Sequence, residues 1–293
     1  HDAFERREPM RYVIDAIIQA GSLNIWYGFP SSFKSMLAAD AAVAVAGGGS
    51  WLGRKVLQGP VLWIDCDNGL RRTHERFAAL ARARNLPEDT PLHYLSMPTP
   101  WLNAGRLTDI EALERRIHER GIVLLVIDNL GLISPSAEEN SADMITVMAN
   151  LRLLVERTGA AIILIHHQRK STGNGSRAGD SLRGHSSIEA AIDLALRVDR
   201  DPTDNLIMIQ STKTRDCDVP LFACQFRYDH LEGTGELWKA GFAQVITEDT
   251  SSDSAIERAI RETLREHPGY NQKQVIETLR GELRGGVNRL RSI

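Results

Sequence analysis

Residues 23–46 read LNIWYGFPSSFKSMLAADAAVAVA, and this stretch decides the fold of the chain. It begins with a short apolar run from Leu23 to Tyr27, which predicts a buried strand. A turn of Gly, Pro and Ser follows, and the alanine-rich segment from Met36 to Val45 is good helix-forming sequence. The predicted order is therefore strand, turn and helix, with Lys34 and Ser35 where the helix begins.

This layout is typical of a phosphate-binding loop, in which the first N–H groups of a helix and its dipole hold an anion. Lys34 is then expected to reach the β- and γ-phosphates of a nucleotide, and the Ser35 hydroxyl to bind Mg²⁺. An ordinary strand-to-helix loop with an exposed lysine is the alternative. The nucleotide-binding residues predicted on this basis are Gly28, Phe29, Pro30, Ser31, Ser32, Phe33, Lys34 and Ser35.

The loop departs from the usual motif at one position, because Phe33 stands where a glycine normally precedes the lysine. A left-handed backbone at Phe33 would cost about 1–2 kcal/mol, since its Cβ would crowd the following carbonyl oxygen. We therefore expect Phe33 to keep helical torsions.

The composition limits the classes of function. The net charge of −3 gives no global basic field, so any binding of nucleic acid must be local. The three cysteines lack metal-ligand spacing and fit a reducing compartment such as the cytoplasm. No apolar run approaches the roughly 20 residues that cross a membrane. The chain begins at His1 without Met and stops inside a helix-like pattern, so we expect a segment of a longer protein.

The order of apolar and amphipathic segments predicts the architecture. Strand and helix patterns alternate as far as Ile165, and after one further short helix only strand patterns follow, up to Arg227. Such an order favours a three-layer α/β sandwich with a mostly parallel central sheet and an antiparallel extension. The predicted domains are an N-terminal segment (1–21), an α/β core (22–247) and a helix-turn-helix-like or winged-helix-like domain (254–293).

The two flanking segments leave alternatives open. Apolar residues at helical spacing in the first 21 residues predict a helix that docks on the core or on a neighbouring subunit, or else an entry segment that packs on its own domain. The C-terminal helices carry Arg280, Arg284, Arg289 and Arg291 nearby, and either contact DNA or form a protein-docking bundle.

Polar residues end the apolar strands of the core, where α/β sheets bind their ligands. Asp65 and Asp67 follow the second strand, Asp128 ends a later one, and His166 and His167 end the next. Together with the phosphate loop, these residues favour a nucleoside triphosphatase. Asp128 is expected to hold Mg²⁺ with Ser35, Asp67 to orient or deprotonate the attacking water, and one of the two histidines to contact the γ-phosphate.

The sequence resembles the RepA-like branch of the RecA/DnaB superfamily, the hexameric helicase ATPases of plasmids and phages. The resemblance covers about residues 10–246. It is carried by Gly28-x-Pro30-x-x-x-Lys34-Ser35, VLWIDCD (61–67), LLVIDNL (124–130), IILIHHQRK (162–170) and LRGHSSIEAAID (182–193).

The resemblance implies further roles. Residues 168–185 occupy the place of a loop that lines the central channel, where Arg169, Lys170, Arg177 and Arg183 would contact single-stranded DNA. Lys213 and Arg215 are similar to a Lys-x-Arg element that reaches the ATP site of a neighbouring subunit. A solvated loop and a basic surface turn are the alternative interpretations.

The resulting hypothesis is an ATP- and Mg²⁺-dependent helicase that forms a homo-oligomeric ring, of hexameric type, on single-stranded DNA. A primase or another replication protein is a further expected partner, and no membrane is expected. Because Asp67 stands where RecA-like enzymes carry Glu, and Phe33 replaces Gly, slow hydrolysis is also expected. The alternatives are an ATP switch that acts as a loader or recombination mediator, and a DNA-binding scaffold with a decayed site.

Overall fold

The computed structural model describes residues 9–134, 142–167, 186–201, 205–215 and 219–245, together with residues 263, 267, 269, 270, 274 and 275. The structural statements that follow concern these residues. The chain divides into two compact units, His1–Val245 and Ile246–Ile293.

The first unit alternates strands and helices. The strands are β1 (Tyr12–Ile14), β2 (Ile18–Gln19), β3 (Leu23–Gly28), β4 (Ser50–Trp51), β5 (Arg54–Lys55), β6 (Val61–Asp65), β7 (Leu92–Ser96), β8 (Leu124–Asp128), β9 (Ala161–His167), β10 (Leu194–Arg200), β11 (Leu206–Thr214), β12 (Phe222–His230) and β13 (Leu237–Val245). The helices are α1 (Lys34–Gly47), α2 (Leu70–Ala83), α3 (Leu107–Arg120), α4 (Ala142–Thr158) and α5 (Ser186–Ala191). Residues Leu130–Ile133 form a 3₁₀ turn.

Nine of these strands form the central sheet, in the order β13-β12-β11-β10-β3-β9-β8-β6-β7. The strands from β7 to β10 in this order run parallel, and β11, β12 and β13 continue the sheet antiparallel. The predicted α/β class, with a mostly parallel sheet and an antiparallel extension, is confirmed. β13 is an addition to the predicted strands.

Helices cover both faces of the sheet and make three layers. Along β8, Leu124 and Val126 face the core that contains α1 and α2, whereas Leu125 and Ile127 face the core that contains α3, α4 and α5. Strands buried on both faces need a continuous apolar sequence, which explains the unbroken runs in β8 and β9. The alanines of α1 are almost all buried, so this helix packs closely against the sheet.

The predicted N-terminal docking helix is wrong for the described residues 9–21, where β1 and β2 pair antiparallel. The Ile17 N–H donates to the Ile14 carbonyl within the tight turn between them (3.0 Å). Val13, Ile14, Ile17 and Ile18 are all buried in the core beside α1. β-Branched residues favour strands, and two apolar pairs around a turn suit a hairpin as well as a helix face. The segment therefore packs on its own domain.

In the second unit the described residues are few. Thr263, Gln274 and Val275 have helical conformation, and the rings of His267 and Tyr270 stack with centroids 4.5 Å apart. The helix-turn-helix prediction for residues 254–293 otherwise lies outside the described residues. No helix in the described part of the chain combines the length and the apolar composition that crossing a bilayer requires.

Candidate nucleotide-binding site

The register of the parallel strands brings the predicted site residues to one edge of the sheet. Asp65 at the end of β6 pairs with Asp128 at the end of β8. His167 at the end of β9 pairs with Gly28 at the end of β3. Since parallel strands all end at the same edge, the phosphate loop, the aspartates and the histidine meet there.

The start of α1 is arranged to hold an anion. The helix begins at Lys34, and no side chain caps its N-terminus. The positive end of the helix dipole is thereby left to a ligand. The Lys34 ammonium donates to the carbonyl of Phe29 within the loop (3.1 Å). Burial lowers the pKa of Lys34, and the charges of Asp128 and Asp67 oppose that shift.

Gly28, the first residue of the loop, is fixed by packing. A Cβ atom added there would lie 2.3 Å from the carbonyl oxygen of Val198 in β10. Because that oxygen belongs to a paired strand, it cannot move aside as a side chain could. The close approach of β3 and β10 therefore requires glycine at this position.

The expectation of helical torsions at Phe33 is wrong. Phe33 has φ 67° and ψ 10°, which is the left-handed conformation that glycine adopts at no steric cost. Its ring centroid lies 4.8 Å from that of Phe226, and the Arg200 guanidinium lies 4.4 Å from it on the ring face. These contacts offset the strain of the backbone. The loop thus keeps the conformation of the usual glycine with a different residue.

Asp65 serves the structure of the loop that follows β6. Its carboxylate accepts hydrogen bonds from the N–H groups of Asn68 (2.9 Å) and Gly69 (2.9 Å) and from the hydroxyls of Thr73 (2.8 Å) and Ser96 (2.7 Å). Burial alone would raise the pKa of this carboxyl, but the bonds from Asn68, Ser96 and Thr73 lower it to about 2. Asp65 is thereby committed to the start of α2.

Asp67 is the more available of the two carboxylates. Its side chain is 48% exposed, and its Oδ2 atom lies 3.8 Å from Nε2 of His167. Asp67, Asp128 and His167 each offer one ligand atom, and these atoms lie within 4.8 Å of one another. Such a group suits a hydrated divalent cation and an ordered water molecule.

Asp128 has the surroundings of a metal-binding carboxylate. Burial raises the pKa of Asp128 to about 6, and the charges of Asp65 and Asp67 also raise it, whereas the Ser35 hydroxyl and Arg76 act in the opposite direction. Its Oδ1 atom is buried, and no described residue forms a hydrogen bond to it. A buried carboxylate oxygen in this state is costly unless a cation binds it. The residues therefore fit Mg²⁺ held by Ser35 and Asp128.

The two histidines that end β9 have different environments, because neighbouring residues of a strand point to opposite faces. His166 is buried, and the His167 side chain is 42% exposed and faces Asp67. Burial and the Lys34 charge lower the pKa of His167, against the effect of Asp67. His167 is therefore the histidine beside the site, and its ring is neutral near pH 7.

Asn68 and Arg76 belong to the site and were not singled out from the sequence. The Asn68 amide donates to Asp65 Oδ1 (3.0 Å) and Asp128 Oδ2 (3.3 Å), and Arg76 donates to Asn68 Oδ1 (3.0 Å). Asn68 therefore bridges the carboxylates of two strands. The available signal was the spacing of Arg76, three residues after the buried Thr73 on the inner face of α2.

Lys213 and Arg215 lie at the opposite edge of the sheet from the phosphate loop. Lys213 pairs with Ala195 near the start of β10, and β10 begins beside the start of β3. The Lys213 ammonium donates to the Glu189 carbonyl of α5, and Arg215 pairs with Asp193 (3.5 Å). The six residues of β3 rise about 3.3 Å each. Neither cation therefore reaches the phosphate loop of its own chain.

The predicted DNA-contacting residues Arg169, Lys170, Arg177 and Arg183 lie outside the described residues. The strands before and after their segment, β9 and β10, flank β3 on its two sides.

The parallel sheet, the phosphate loop and the carboxylates at two strand ends define a P-loop ATPase of the RecA/DnaB type. The chain belongs to the AAA domain family, whose model matches residues 1–173. Among solved structures it is similar to a helicase ATPase domain, with a TM-score of 0.56 and 13% identity, over 75% of this chain and 85% of that chain. At this identity the similarity shows the fold.

Proposed function

We propose that this helicase-type ATPase assembles into a ring, moves on single-stranded DNA and hydrolyses ATP between subunits. The observation that carries the proposal is the separation of Lys213 and Arg215 from the phosphate loop across the length of β3. Head-to-tail contact between subunits brings one edge of a sheet to the other, and repetition of that contact closes a ring.

Within one subunit, the chemistry is assigned to the strand ends. Lys34 and the N-terminus of α1 bind the β- and γ-phosphates, and Ser35 and Asp128 hold Mg²⁺, which when bound neutralises charge on the phosphates. Asp67 orients the attacking water and accepts its proton. His167, as a neutral ring beside Asp67, donates a hydrogen bond to the γ-phosphate.

The neighbouring subunit supplies the remaining charge. Arg215, assisted by Lys213, stabilises the negative charge that develops in the transition state. Hydrolysis thereby depends on assembly.

The DNA is assigned to residues 168–185. Since the net charge of the chain is −3, binding has to depend on local cations such as Arg169, Lys170, Arg177 and Arg183. Contacts with phosphates release counterions, so the affinity for single-stranded DNA is expected to fall steeply with salt.

A second candidate is an ATP switch that loads or remodels other proteins on DNA without unwinding it. It is favoured by Asp67, whose side chain is one methylene shorter than the expected Glu and places the water less well. This candidate predicts ATP-dependent assembly with slow turnover and little strand separation.

The test is steady-state ATP hydrolysis by the full chain with and without single-stranded DNA. We expect DNA to stimulate the wild type and Lys34→Ala to abolish turnover. Lys55→Ala, an exposed lysine on β5, is the matched control and keeps the wild-type rate. A strand-displacement assay then separates the two candidates. Hydrolysis that ignores DNA contradicts both, and hydrolysis that survives Lys34→Ala contradicts the phosphate-loop assignment.

A further inference from the structure

The left-handed backbone at Phe33 has a cost that its surroundings must offset. For a residue with a Cβ atom this conformation is about 1–2 kcal/mol less favourable, and for glycine it is not. At about 1.4 kcal/mol per tenfold, this corresponds to about 5- to 30-fold in the population of the conformation. Phe33 immediately precedes Lys34, the first residue of α1. Its torsions therefore set the direction of the helix start relative to the loop.

The ring of Phe33 is held by side chains far along the sequence. It lies 4.8 Å from the ring of Phe226 in β12 and 6.4 Å from that of Phe242 in β13, between centroids. Phe226 and Phe242 are direct partners across the two strands, with centroids 5.0 Å apart. Arg200 lies 4.4 Å from the Phe33 ring centroid. These four side chains are called the Phe33 cluster below.

The β12–β13 hairpin that carries two members of the cluster is itself attached to α2. The Leu237 N–H donates to Glu75 Oε1 (3.1 Å), and the Arg82 guanidinium lies 4.3 Å from the centroid of the Trp238 ring. Both attachments lie on β13, some residues from Phe242. The hairpin therefore presents Phe226 and Phe242 to the phosphate loop as a fixed surface.

We infer that Phe226 and Phe242 are positioning residues for nucleotide binding, which act through Phe33 by holding the phosphate loop in its left-handed conformation. In the usual motif glycine reaches that conformation unaided. Here the shape of the loop depends on the antiparallel extension of the sheet. The inference rests on nucleotide binding at the loop, and it is independent of the proposed action on DNA.

The test is a double-mutant cycle on the full chain with a fluorescent ATP analogue. We expect Phe226→Ala to weaken binding by about 5- to 30-fold, because the loop loses the contact that offsets its strain. In the Phe33→Gly background we expect the same substitution to change the affinity by less than about twofold, since glycine needs no such contact. Trp238→Ala removes an aromatic ring from the same hairpin away from Phe33, and is expected to leave the affinity unchanged.

Two outcomes would overturn the inference. One is a Phe226→Ala effect of equal size with Phe33 and with glycine at position 33, which would mean that Phe226 acts on the nucleotide or on the whole fold. The other is no loss of affinity at all. If Phe226→Ala does not fold, Phe226→Leu is compared in the same two backgrounds and must show the same dependence on position 33. Nucleotide binding that survives Lys34→Ala contradicts the site itself, whereas loss of DNA stimulation alone contradicts only the proposed function.

Discussion

Nε2 of His167 lies 3.8 Å from Oδ2 of Asp67, and the two side chains end strands that are separated in the sheet by β8. Asp67 is exposed enough to meet a water molecule, and His167 is held neutral by burial and by Lys34. Asp67→Asn keeps the shape of the side chain but removes its basicity. We expect kcat to fall by about 10²- to 10⁴-fold with little change in nucleotide affinity. Single-turnover hydrolysis and equilibrium binding check this, and an unchanged kcat would exclude Asp67 as the base.

Asp65 provides the contrast, because its effect is predicted on stability. Its pKa is about 2 in the fold and near 3.9 in an unfolded chain. The ionised form therefore stabilises the fold above about pH 4, and this contribution is lost as the pH falls from about 4 to 2. We expect Asp65→Asn to lower the free energy of unfolding by about 2–3 kcal/mol at pH 7 and by less near pH 3. Urea denaturation at both pH values measures it, and an equal loss at both would contradict the assignment.

Asn68 is predicted to affect the binding of Mg²⁺, because its amide holds Oδ2 of Asp128 and is itself held by Arg76. Residues that orient a ligand in this way commonly change metal affinity by about 10- to 100-fold. We expect Asn68→Ala to raise the Mg²⁺ concentration for half-maximal hydrolysis by about tenfold, with a smaller change in the rate at saturation. Arg72→Ala, an exposed arginine on the same helix, is the control. A lower rate with unchanged Mg²⁺ dependence would argue for a different role.

Asp40 and Arg84 form an ion pair that ties α1 to the end of α2, with a nitrogen–oxygen distance of 3.2 Å. Asp40 is buried and burial raises its pKa, so a charge left there without Arg84 is unfavourable. We expect Arg84→Met to reduce the free energy of unfolding by about 2–4 kcal/mol, somewhat below the value for a wholly buried pair. The double variant Asp40→Leu/Arg84→Met should recover much of this loss in chemical denaturation. Additive losses would show that the two residues act separately.

Arg215 is predicted to act in trans, and mixing variants tests this directly. Lys34→Ala and Arg215→Ala are each expected to be inactive alone. In a mixed ring, about one quarter of random interfaces pair an intact loop with an intact arginine, so the mixture should regain activity. Arg152→Ala removes another ion-pair partner of Asp193 and controls for the loss of that contact. No recovery on mixing, with assembly intact, would contradict the trans role.

The sequence was sufficient for the elements whose pattern is local. The runs from Leu124 to Asp128 and from Ala161 to His167 are apolar and end in polar residues, which places them in a sheet buried on both faces and directs their ends to one edge. Register then follows from parallel pairing. The distinction between Asp65 and Asp67 agrees with this geometry, since only one of two nearby carboxylates can cap the next helix.

The features that could not be predicted depend on contacts between distant segments. The torsions of Phe33 are set by rings on β12 and β13, which no local pattern reveals. The N-terminal hairpin was interpreted as a helix because apolar pairs at Val13–Ile14 and Ile17–Ile18 satisfy both periods. His167 could be separated from His166 only by knowing which face of β9 meets the phosphate loop.

The Phe33 cluster also has an evolutionary consequence. Glycine before the lysine can be replaced by phenylalanine only in a chain that already offers a receptive surface on the β12–β13 hairpin. Positions 33, 226 and 242 are therefore expected to change together across descendants of this sequence, with small residues on the hairpin wherever glycine returns to the loop. In this lineage, the identity of the phosphate loop is inherited partly through strands at the other end of the domain.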